Sequence, residues 1–66
     1  MTPDDLRATL DRLGMSMAGL AALTDRQPQT VRQWSIGRAS VPAEVAAWLE
    51  MLEHWVRDNP PPRRAA

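Results

Sequence analysis

Apolar positions recur along the chain in four blocks of helical spacing, each bounded by residues that start or stop helices. In the first block, Leu6, Leu10 and Leu13 fall on one side, with Arg7, Asp11 and Arg12 off it. Thr2 suits a helix cap and Pro3 the first helical position, while Asp4 and Asp5 complement the positive helix end. Gly14 closes this helix as a left-handed cap. Ser16 caps a second, shorter helix from Met17 to about Thr24, with Leu20, Ala21 and Leu23 on its apolar side. Ala18, Ala21 and Ala22 are small enough to admit a close helix neighbour, and Gly19 weakens this helix by up to roughly 1 kcal/mol relative to alanine.

Thr24, Asp25 and Arg26 form a turn in which Asp25 takes the left-handed conformation. Pro28 opens a third helix to about Ser35. Its apolar stripe is narrow, only Val31 and Trp34, and Gln29, Arg32 and Gln33 point elsewhere. Gly37 ends it, and a loop runs to Ser40. The fourth helix restarts through Ser40–Glu44 and continues to about Asp58. Val45, Trp48, Leu49, Leu52 and Val56 make a broad stripe, with Ala47, Met51 and Trp55 as a second strip beside it, flanked by His54. Together they are wider than one small core requires. Asn59 and three prolines stop the helix and begin an extended tail, with Arg63–Ala66 expected to be disordered. The prediction is an all-α, compact domain of four helices, or five counting a short turn. Residues 1–58 form the domain and 59–66 a Pro/Arg-rich tail.

The length of 66 residues implies one domain with little core, which packing or self-association must stabilise. With no cysteine and a single histidine, His54, neither a disulfide nor a structural metal site is expected. The acidic start, Asp4 and Asp5, has the wrong sign for a targeting segment, and no apolar run is long enough to span a bilayer, so a cytoplasmic location is expected. Enzymatic chemistry and cofactors are not expected, because no phosphate-cradling glycine loop or nucleophile–base pair is discernible. Asp4 and Asp5 are explained by capping.

The formal net charge is zero, which argues against nucleic-acid binding. The distribution argues the other way. No acidic residue lies between Arg26 and Ala43, whereas Arg26, Arg32 and Arg38 do, and every basic residue is arginine, whose planar fork matches phosphate and guanine.

The stretch Ser16 to Pro42 resembles the helix-turn-helix domains of the lambda-repressor and Cro type, the Xre family. Leu20, Ala21, Leu23, Thr30, Val31, Trp34, Gly37 and Pro42 stand at the family's spacing. Met17, Gly19, Asp25, Arg26 and Gln27 depart from it, replacing a phosphate-touching Gln, a capping Glu, a turn Gly, a small apolar residue and a Ser cap. The resemblance implies that the third helix enters a major groove with Pro28, Gln29, Arg32 and Gln33 at base edges. Gln pairs with adenine and Arg with guanine, while the Pro28 ring suits a thymine methyl. Arg38 and Ser40 are implied backbone contacts, as are Ser16 and Gln27 at the helix caps. Thr30 either faces phosphate or supports the turn, and Arg26 either replaces a phosphate contact or is a solvated turn residue. Leu20, Leu23, Val31 and Trp34 read as core. Ala47, Met51 and Trp55 either complete the monomer core or form a two-fold dimer interface.

The expected function is a small dimeric repressor on a palindromic double-stranded operator, acting by blocking polymerase. An Asn-Pro-Pro-Pro tail after an amphipathic helix also resembles small phage-encoded autoregulators, including anti-CRISPR-associated repressors. The alternative is a protein-binding, antitoxin-like adaptor, with or without DNA binding.

Overall fold

A computed structural model describes residues 1–62 and has four helices in the order α1 (Pro3–Leu13), α2 (Met17–Leu23), α3 (Pro28–Ser35) and α4 (Ala43–Asp58). The expected disorder at Arg63–Ala66 lies outside the described residues. Helix boundaries follow the punctuation of the sequence. Thr2 and Asp5 form a reciprocal cap, with the Asp5 N–H donating to Thr2 Oγ1 at 3.0 Å and the Thr2 N–H to Asp5 Oδ2 at 3.2 Å. Gly14 ends α1 at φ 66°, and the Gly19 N–H donates to Ser16 Oγ at 2.9 Å to start α2. Asp25 makes the turn at φ 56°. Among the described residues there is no fifth helix; after Gly37 the chain turns and bends before α4.

The core takes one fully buried side chain from each helix: Leu6, Leu20, Val31 and Leu49. Leu10, Ala21, Trp34 and Val45 surround them. α1 packs on α3 and α4, and α2 packs on α3. Leu23 is a correction to the expected core, since it stands 65% exposed. At about 100° per residue, the inward direction of α2 lies between Leu20 and Ala21, which puts Leu23 roughly 110° away. Ala18 and Ala22 are also exposed, so of the three alanines Ala21 alone serves the close approach.

Two arginines of α1 brace the bundle. Arg7 donates to the Ser35 carbonyl at the end of α3, and also pairs with Asp4. Ser35 Oγ in turn donates to the Arg32 carbonyl at 2.7 Å, so the C-terminal turn of α3 is fixed from both sides. Arg12 grips Glu53 of α4 with a two-pronged contact, Nε to Oε1 at 3.1 Å and Nη2 to Oε2 at 3.0 Å. The hydrogen bond from Arg12 holds the Glu53 carboxyl below its ordinary pKa of 4.5. Because the folded value is the lower one, this pair stabilises the fold above that ordinary value, and the contribution is lost as pH falls through the folded value. Asp5, lowered by the Thr2 backbone N–H, behaves in the same sense. The melting temperature should therefore drop on acidification below about pH 4.5, and Glu53→Gln should flatten that limb while lowering stability near neutrality. Circular-dichroism melts from about pH 6 to 3 check this; superimposable acid limbs for the two proteins would contradict it.

Candidate nucleic-acid interface

α3 is held by Val31 and Trp34, both buried, and this leaves its opposite face outside. Residues three and four apart share a helix face, so Gln29, Arg32 and Gln33 stand together. They line one open concavity of about 460 Å³ with Pro28, Ile36 and Arg38. All four residues expected at base edges thus share one surface with Arg38 from the following loop. The Arg38 N–H donates to the Gln33 carbonyl at 2.9 Å, which folds that loop back onto the helix end.

Charge is distributed unevenly around this surface. Arg7, Arg12 and Arg26 each pair with an acid. Among the described residues, Arg32 and Arg38 form no ion pair and are exposed. The zero net charge therefore conceals a face with two uncompensated guanidinium groups. Four donor- and acceptor-bearing side chains stand there beside two apolar ones, an arrangement able to address both the phosphates and the base edges of a duplex.

Arg26 sits differently from the other arginines near the turn. Its Nη1 donates to the Thr24 carbonyl at 3.0 Å and its Nη2 to Glu44 Oε1 at 3.0 Å. The guanidinium also lies 5.6 Å from the centroid of the Trp34 ring. It is half-buried rather than fully solvated, and links the turn before α3 to the first turn of α4. Glu44 lies 18 residues away, so no local pattern announces the pairing.

Among the remaining candidates, Ser16 and Gln27 are exposed at the caps of α2 and α3, Ser40 is exposed in the loop and Thr30 is half-buried. None of these four lines the concavity. Ser16 uses its oxygen as a cap acceptor, which leaves its O–H available to donate. The Gln27 side chain makes no capping bond.

A second surface lies on α4. Met51 and Trp55 are 68% and 60% exposed, and Ala47 is exposed on the same row, so this strip does not complete the monomer core. Trp48, Met51, Leu52 and Trp55 line a shallow hollow of about 180 Å³. Of the five residues expected in the core stripe of α4, only Val45 and Leu49 are buried in the core; Trp48 is 37% exposed, and Leu52 and Val56 are half-buried. Among the described residues, no helix is long and apolar enough to cross a membrane.

No protein-family model matches the chain, and no curated protein or solved structure matches it either.

Proposed function

We propose that the chain is a sequence-specific binder of double-stranded DNA that acts in the cytoplasm as a small autoregulatory repressor, of the kind carried by phages and mobile elements. The observation that carries this reading is the grouping of Gln29, Arg32, Gln33 and unpaired Arg38 on one open face of α3. The pairing of α2 and α3 through a short turn, with α3 narrow in its apolar stripe and polar outside, suits insertion of α3 into a major groove. Ser16, Gln27, Thr30 and Ser40 are the neutral groups that would position the backbone, while Arg26 acts through the turn it braces.

Binding as a homodimer through α4 goes with this reading. Ala47, Met51 and Trp55, together with Trp48, form an exposed apolar strip of the kind that marks an interaction surface. A two-fold dimer would read an inverted repeat with half-sites about 34 Å apart, one DNA turn. Selection from a random duplex library tests the whole proposal. Enrichment of an inverted repeat with that spacing is expected, and an unenriched library would count against it.

The α4 hollow also favours a second reading, an antitoxin-like adaptor whose partner is another protein. A stable complex with that partner, combined with no duplex enrichment, would select it.

A further inference from the structure

We infer that Ile36 is a specificity-determining residue that reads a thymine C5 methyl at the far end of the α3 face. This rests on the DNA-binding reading above. Ile36 follows the last residue of α3, yet its N–H still donates to the Arg32 carbonyl at 3.2 Å. That bond continues the helical turn through Ile36 and sets it on the row of Gln29, Arg32 and Gln33, which it joins in lining the same concavity.

Its side chain is 57% exposed, and a single exposed apolar residue needs no explanation in general. Leu23, at 65%, is an example, and it takes no part in this concavity. Ile36 differs in its company. It stands between two unpaired arginines in sequence, Arg32 and Arg38, on a face otherwise built of hydrogen-bonding groups. A branched aliphatic tip there cannot bond a phosphate or a base edge. In a major groove the apolar feature it can meet is the thymine methyl group. Pro28, at the other end of the same face, is the second apolar group, and about 12 Å of helix rise separates them. The two residues therefore address different base steps, with the arginine and the glutamines between.

The test starts from the duplex enriched by the library. Each thymine is replaced in turn by deoxyuracil, which keeps the pairing edge and removes only the methyl, and affinity is measured by fluorescence anisotropy. For the unmodified protein, one thymine in each half-site should show a loss of roughly fourfold, the effect of exposing one methyl group. Ile36→Ala should abolish that sensitivity at that position and leave any Pro28-dependent position unchanged. Its melting temperature should stay close to that of the unmodified protein, because Ile36 is more than half exposed and lies outside the buried core. If the sensitive thymines keep their penalty in Ile36→Ala, or no thymine is sensitive, the inference falls while DNA binding stands. If no duplex is bound selectively at all, both fall.

Discussion

Trp34→Ala should destabilise the chain severely, by about 3–5 kcal/mol. The ring is 3% exposed and belongs to the shared core, while the Arg26 guanidinium lies over it. Removing a buried tryptophan side chain costs about 3–5 kcal/mol, because the transferred surface and the cavity left behind add. A chain of this length has a total stability of only roughly 3–10 kcal/mol, at about 0.05–0.15 per residue. The loss therefore consumes a large fraction or all of it. Urea unfolding followed by far-ultraviolet circular dichroism is the appropriate measurement, since Trp48 and Trp55 would confuse fluorescence. Trp34→Phe should retain much of the packing and lose about 1–2 kcal/mol. A loss below about 1 kcal/mol for the alanine variant would mean that α3 is not anchored through this residue.

The same residue shows what the chain's pattern could and could not reveal. Trp34 and Val31 are recognisable as the inward stripe of α3 because they lie three apart on a helix that Pro28 opens. The remaining helix boundaries are legible for a similarly local reason: Thr2, Gly14, Ser16 and Asp25 each impose a cap or turn through their own chemistry. The exposure of Leu23 is not legible, because apolarity alone assigns it inward, while a helix of 7 residues has an inward direction set by its partner. The role of Arg26 is not legible, because its partners are Glu44 and the Trp34 ring, contacts that only tertiary folding creates. Nor is the place of Ile36, because the local signals end the helix at Ser35, although the hydrogen bonding carries its face one residue further. On α4 the pattern shows that apolar surface is in excess. That Val45 and Leu49 alone turn inward while Trp48 stays exposed depends on which side of α4 meets its neighbours, which no spacing encodes.

Arg32→Ala should leave stability nearly unchanged and sharply weaken selective DNA binding. The Arg32 side chain is exposed and has no ionic partner among the described residues. Its backbone carbonyl accepts from Ser35 Oγ and from the Ile36 N–H, and alanine keeps both bonds. Alanine is also at least as favourable in a helix as arginine. A two-pronged contact from arginine to guanine is worth about 1–3 kcal/mol of discrimination, so affinity for the enriched duplex should fall roughly 5- to 150-fold for each half-site. Binding to a shuffled duplex should fall far less, since only one positive charge per protomer is lost. Arg32→Lys restores the charge without the planar fork, and should recover the shuffled-duplex affinity but not the preference. Equal losses on both duplexes would make Arg32 a phosphate contact instead.

Central to the account is that the face bearing Gln29, Arg32, Gln33 and Arg38 reads DNA sequence. Its most direct test is an anisotropy titration of the unmodified protein against the enriched duplex and a shuffled one, at two salt concentrations. A preference of about 10³ or more for the enriched duplex is expected. With Arg32 and Arg38 of two protomers as the cations, log affinity should fall against log salt with a slope of roughly −2 to −4. Equal, weak binding to both duplexes at either salt would contradict it.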